Sequence, residues 1–155
     1  LAYTSLETER NVTWLPSYGP EMRGGTANCS VIVSDEPIGS PIVGKPDVLV
    51  AMNLPSLDKY ENEVVSGGKI FVDSTLISRK VERTDVDVFY IPATQLANEQ
   101  GISTLANMII TGKLLKEVEE LGFDGIDAPL AKVVSARRQN LLEVNKTALK
   151  LGYDY

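Results

Sequence analysis

Asp47-Val48-Leu49-Val50-Ala51-Met52-Asn53 is an unbroken apolar run, entered by an acidic residue and left by an asparagine. A strand that faces water on one side alternates apolar and polar residues. A strand without alternation is buried on both faces, as in the parallel sheets of α/β proteins. Asn53 is a good N-cap and Pro55 suits a first helical turn, so the spacing predicts a helix from Leu54 to about Val65. Ser66-Gly67-Gly68 ends it, and Lys69-Ile70-Phe71-Val72-Asp73 reads as the next strand. Val86 to Ile91 reads as another, stopped by Pro92. Strand, helix, strand in this rhythm implies crossover units. The fold expected is a three-layer α/β/α arrangement with a mainly parallel, mixed sheet.

Toward the C-terminus the period becomes helical. From Ser103, Leu105, Met108, Ile109, Gly112 and Leu115 form one stripe, and Ile110, Leu114, Val118 and Leu121 a second. A helix apolar on two sides is packed between other elements. Gly112 is placed to admit a neighbouring backbone, and Gly122 to stop the helix. Leu130, Val133 and Val134 mark a short helix; Leu141, Val144, Ala148 and Leu151 mark the last, closed by Gly152. Toward the N-terminus, Leu1 to Leu6 reads as the end of a helix and Val12 to Leu15 as a short strand. In the segment Ala27 to Val33, Ala27, Cys29, Val31 and Val33 fall on one strand face.

The 155 residues suit one α/β domain over 1–155 with a real core. A net charge of −6 argues against a nucleic-acid binder. Lys132, Arg137, Arg138, Lys146 and Lys150 gather near the C-terminus, but acidic neighbours interrupt them, so a solvated helix face or a subunit contact is the reading preferred. No apolar run reaches the roughly 18 residues that span a bilayer. No charged-then-apolar leader opens the chain, so a cytoplasmic location is expected. There is no histidine and one cysteine, so neither histidine-based catalysis nor an iron–sulfur cluster is expected of these residues. Cys29, mid-strand and without a cationic neighbour in sequence, is expected to be buried and structural.

Open α/β sheets bind ligands at the carboxyl ends of their strands. Three such ends carry a small polar residue: Asn53, Ser74 and Thr94. Capping and turn formation explain each of them singly; three at one edge suggest a shared crevice. Asp73 alone among hydroxyls is thin support for a metal, and none is expected. Ser66-Gly67-Gly68 precedes a strand, whereas a phosphate loop follows one.

Ser17-Tyr18-Gly19-Pro20-Glu21-Met22-Arg23-Gly24-Gly25-Thr26 is the most unusual stretch. Its glycines allow close backbone approach, and Arg23 is a natural fork for phosphate or carboxylate. The plainer reading is a tight turn with a Glu21–Arg23 surface pair. The segment resembles the Tyr-Gly-Pro-Glu-x-Arg-Gly-Gly motif of the gamma subunits of 2-oxoacid:ferredoxin oxidoreductases. The likeness continues through Pro46 to Asn53, Gly67 to Ser74, Ile91-Pro92-Ala93-Thr94, Ala106-Asn107-Met108 and Asn145 to Tyr153, in the family's order. The family's initial strand and Gly-x-Gly-Gly-Gln-Gly turn have no counterpart before Leu1, so the domain is expected without its N-terminal Gly-rich βα unit.

The resemblance implies a gamma subunit with no catalytic residue of its own, inactive alone. Alpha, beta and ferredoxin-like delta subunits would complete a heterotetramer, carrying thiamine diphosphate and iron–sulfur clusters. The complex would oxidise a 2-oxoacid to acyl-CoA and reduce ferredoxin. Tyr18, Gly19, Arg23, Gly24 and Gly25, with Asn53, Ser74 and Thr94, are the candidate contacts to coenzyme A. 2-Oxoglutarate is the substrate favoured. A pyruvate- or branched-chain-specific member and a stand-alone nucleotide-binding domain are the alternatives.

Overall fold

A computed structural model describes residues 1–17, 27–122, 125–134 and 140–155. The chain divides into two compact units, Leu1–Gly44 and Lys45–Tyr155. In the first, a short helix α1 (Ala2–Leu6) precedes an antiparallel ribbon of β1 (Asn11–Ser17) and β2 (Asn28–Ser34). The expected strands at Val12–Leu15 and Ala27–Val33 are both present, slightly longer or shifted. Cys29 corrects the sequence reading: it is exposed. It lies opposite Pro16, one pair from the end at which the chain passes from β1 to β2, and in a two-stranded ribbon alternation does not imply that anything covers the apolar face.

The second unit holds a parallel sheet of β3 (Val48–Ala51), β4 (Lys69–Asp73) and β5 (Asp87–Ile91), in the order β3-β4-β5. From Ile70 to Asp73, β4 is buried throughout. Ile70 and Val72 pack with Ala51, Leu57, Val64 and Ile77, while Phe71 packs on the other face with Ile91, Ala97, Ile109 and Ile110. Phe71 also stacks on Phe89, ring centroids 4.9 Å apart. Each such side chain contributes roughly 1.5–3 kcal/mol on burial. The parallel sheet thus lies between helical layers, as expected; the antiparallel pairing belongs to the separate β1–β2 ribbon.

Helix α2 (Leu54–Tyr60) begins where the Asn53-Leu54-Pro55 signal places it. It ends five residues before Val65, passing into a 3₁₀ turn at Glu61–Glu63. Between β4 and β5 the crossover carries no helix. Ionic contacts hold it instead. Glu61, 4% exposed, accepts hydrogen bonds from the Arg79 guanidinium at 2.6 Å and from the Glu82 amide at 2.6 Å. Arg83 donates to the Glu61 and Val64 carbonyls and pairs with Asp85 at 2.6 Å. Tyr90 accepts a hydrogen bond from the Val81 amide, and the Lys80 ammonium lies 3.8 Å from its ring centroid.

Helix α3 (Ala93–Glu99) starts directly after Pro92 and was not anticipated; its seven residues are too few to show a period. Helix α4 (Ala106–Glu117) follows a 3₁₀ turn at Ser103–Leu105. It is buried on two sides, as its double stripe required: Ile109 and Leu114 face the sheet cluster, and Leu115 meets Leu130 and Leu149. These last two come from α5 (Asp127–Val133) and α6 (Asn140–Asp154). Gly122 ends a 3₁₀ turn after α4, with φ of 61°. Gly112 admits a neighbouring backbone, as its position suggested: a Cβ there would collide with the Leu149 carbonyl. Gly152 does not close α6 but lies within it, where a Cβ would collide with the Ile109 carbonyl. The two glycines let α4 and α6 cross with backbones in contact. Among the C-terminal lysines, Lys146 pairs with Asp127 and Glu143, and Lys150 with Asp154.

Two outcomes follow from this packing. Gly112→Ala is expected to destabilise the protein by about 3 kcal/mol, because two backbones must separate; urea denaturation measures it. The ionic crossover sets an acid limit. The Arg83 hydrogen bond is the main cause holding the Asp85 carboxyl at about 2, against an ordinary 3.8. Burial pushes Glu61 up, but the Arg79 and Glu82 hydrogen bonds outweigh it and leave Glu61 below its ordinary 4.5. Carboxyls depressed on folding stabilise above their unfolded values and lose that contribution as pH falls through the folded ones. The melting temperature is therefore expected to drop as pH falls from about 4.5 toward about 2.

Candidate functional site at the carboxyl edge of the sheet

Register brings the three strand ends level. Ala51 pairs with Val72, and Asp73 with Ile91. Asn53, Ser74 and Thr94 each follow one of these ends within three residues, so the predicted residues share one edge.

Their side chains are partly engaged in holding the fold. The Asn53 side-chain carbonyl accepts a hydrogen bond from the Ser56 amide at 2.9 Å, capping α2, and its NH₂ group is on an exposed residue. Thr94 donates its hydroxyl to Asp73 Oδ2 at 2.6 Å and its amide to the same oxygen at 3.2 Å. Asp73 Oδ1 accepts from the Thr75 amide at 3.1 Å. Thr75 in turn accepts from the Gln95 amide at 3.1 Å, and the Ser74 amide donates to the Ile91 carbonyl at 2.9 Å. Ser74 itself is half-buried.

Asp73 is fully buried, and among the described residues no cation pairs with it. Its charge is met by hydrogen-bond donors from two strand ends, which is how a buried carboxylate avoids the cost of desolvation. It organises this edge, a role sequence reading missed because donors 21 residues away leave no local pattern. The same holds for Glu61 and Arg79, 18 residues apart.

Chemically the edge offers Asn53 N–H groups, the Ser74 hydroxyl and the lone pairs of Thr94. It holds no basic residue at Met52–Asn53, Ser74–Thr75 or Pro92–Thr94. Neutral polar groups suit it better than phosphate. Tyr18, Gly19, Arg23, Gly24 and Gly25 lie outside the described residues, in the segment joining β1 to β2. Among the described residues no group of three or more His, Cys, Asp or Glu could hold a metal ion. With one cysteine in the chain, the donors for an iron–sulfur cluster are also lacking. No helix among the described residues is long and apolar enough to cross a membrane.

Residues 1–155 match the family model for pyruvate ferredoxin/flavodoxin oxidoreductase. This chain belongs to that family. Ketoisovalerate oxidoreductase subunit VorA of Methanothermobacter thermautotrophicus is 36% identical over 159 aligned residues, covering 100% of this chain and 32% of its own length. The 2-oxoglutarate synthase subunit KorC of Methanocaldococcus jannaschii is 35% identical, covering 89% of this chain and 73% of its own. The chain thus spans about a third of VorA. Among solved structures, the gamma subunit of a keto/oxoacid ferredoxin oxidoreductase from Geobacter sulfurreducens superposes with a TM-score of 0.80 at 25% identity, over 99% of this chain and 84% of that one. A 2-oxoglutarate:ferredoxin oxidoreductase from Magnetococcus marinus, solved with 2-oxoglutarate, coenzyme A and succinyl-CoA bound, shares the fold with a TM-score of 0.82 at 20% identity, over 99% of this chain and 27% of that one.

For this member of the oxidoreductase family, the Asp73–Thr94 bond makes a direct expectation. Thr94→Val keeps the shape but removes the shortest donor to a buried carboxylate, at a cost of about 1–3 kcal/mol. A thermal melt that matched the wild type would contradict the organising role given to Asp73.

Proposed function

We propose that this chain is the gamma-type subunit of a multi-subunit 2-oxoacid:ferredoxin oxidoreductase, which converts a 2-oxoacid to its acyl-CoA and passes the electrons to ferredoxin. The observation that carries this reading is the family match over residues 1–155, joined to the gamma-subunit likeness at a TM-score of 0.80. Thiamine diphosphate, when bound on partner subunits, supplies the carbanion chemistry of decarboxylation. Iron–sulfur clusters belong on partners as well, since one cysteine does not fit them.

The chain's own part is binding and assembly, and it is inactive alone. Arg23 with the Gly24 and Gly25 amides forms one candidate contact set for coenzyme A, suited by charge to a phosphate, with Gly19 allowing close approach and Tyr18 an aromatic surface. Asn53, Ser74 and Thr94 form the other, suited to the neutral amide and hydroxyl groups of a pantetheine arm. Alpha, beta and ferredoxin-like delta chains are the partners in a cytoplasmic heterotetramer.

2-Oxoglutarate remains the preferred substrate, supported by the KorC relative. A branched-chain 2-oxoacid is the second reading, favoured by the VorA match over the whole chain.

The test is an assay of the purified complex for CoA-dependent reduction of ferredoxin with 2-oxoglutarate, pyruvate and 3-methyl-2-oxobutanoate in turn. Activity with 2-oxoglutarate supports the first reading; activity confined to the branched acid moves the assignment to the second; none with any of the three contradicts both. In the active complex, Arg23→Ala is expected to raise the KM for coenzyme A by about tenfold or more, the loss of one charge-assisted contact, with kcat little changed. An unchanged KM would remove Arg23 from the CoA site.

A further inference from the structure

The first unit has a feature that its elements alone do not explain. Among the described residues, none of the buried hydrophobic side chains belongs to Leu1–Gly44. Register nevertheless sorts the ribbon cleanly. Val12 pairs with Val33, Trp14 with Val31 and Pro16 with Cys29, so these six apolar residues share one face. The opposite face is mixed, with Thr13 opposite Ile32 and Leu15 opposite Ser30. At the Trp14–Pro16–Cys29 end the apolar face is exposed; Trp14 is 62% accessible. A two-stranded ribbon is marginal in water unless its apolar face packs against something, and an exposed apolar patch of this kind marks an interaction site.

The relatives indicate the occupant. In KorC of Methanocaldococcus jannaschii and the Geobacter gamma subunit, the matched region makes up most of the chain. In VorA and the Magnetococcus enzyme, it is about a third or less of one continuous polypeptide. The same domain is thus found nearly alone or covalently joined to a much larger segment, and a segment fused in one protein is the natural partner of the separate domain in another.

We propose that the Trp14–Pro16–Cys29 end of the ribbon is the surface on which a separate chain, corresponding to the remaining two-thirds of VorA, docks. This rests on the subunit reading above and adds the surface to it. Trp14 is the anchor: large, exposed in the isolated chain and central to the pairing Val12–Val33, Trp14–Val31, Pro16–Cys29.

Cys29 is the chain's one cysteine and lies on this surface, so it reports on docking directly. The experiment compares iodoacetamide labelling of Cys29 in the full-length protein alone and after co-expression with that partner chain. It is paired with the affinity of Trp14→Ser and, as an exposed control in the second unit, Val133→Ser. The expected result is labelling slowed by about tenfold or more in the complex, Trp14→Ser binding weakened by about tenfold with an unchanged melting temperature, and Val133→Ser binding like wild type. Equal labelling in the free and bound states, or wild-type affinity for Trp14→Ser, overturns the surface while leaving the subunit reading intact. Protection that appears with the isolated chain as its concentration rises overturns it in favour of self-association. Failure of the wild-type chains to associate overturns the subunit reading, and this proposal with it.

Discussion

The burial of β4 on both faces is the constraint on which the second unit depends. Ile70, Phe71, Val72 and Asp73 are all inaccessible, so this strand needs apolar cover above and below and a parallel neighbour on either side. Leu57 and Ile77 supply one cover, and Ala97, Ile109 and Ile110 the other. The polar residue that ends the strand is thereby buried too. Asp73 keeps its place by collecting donors from the turn after β4 and from the start of α3, and this ties the strand ends into one edge. The candidate site is a consequence of how the central strand terminates.

Patterns set by neighbouring residues were readable in the sequence. The Asn53-Leu54-Pro55 cap, the double stripe from Leu105 to Leu121 and the close approach at Gly112 each depend on local spacing, and each is present. Interactions formed over distance were not. Arg79, in the β4–β5 crossover, reaches back to Glu61 in the turn after α2, and nothing near either residue announces the other. Gly152 read as a helix stop because glycine often serves as one; its partner, Ile109, is 43 positions away. Cys29 read as buried because alternation shows which face is apolar, but not whether anything covers it.

The contrast between the two units bears on function. Lys45–Tyr155 buries hydrophobic clusters on both faces of its sheet, whereas the ribbon of Leu1–Gly44 exposes the Trp14–Pro16–Cys29 end of its apolar face. The chain lacks histidine, has one cysteine, and gathers the polar residues of its strand edge around the buried Asp73. The proposed role makes it one face of a larger active centre whose cofactors are held by other chains. The chain belongs to the family and matches about a third of VorA's length.

Recovery of the tagged chain from its native cells, with co-purifying polypeptides identified by mass spectrometry, tests this account most directly. The account predicts a stoichiometric complex containing a thiamine-diphosphate-binding chain and a ferredoxin-like chain. Recovery of the protein by itself, in the same buffer and at native abundance, would contradict it and favour an independent nucleotide-binding domain.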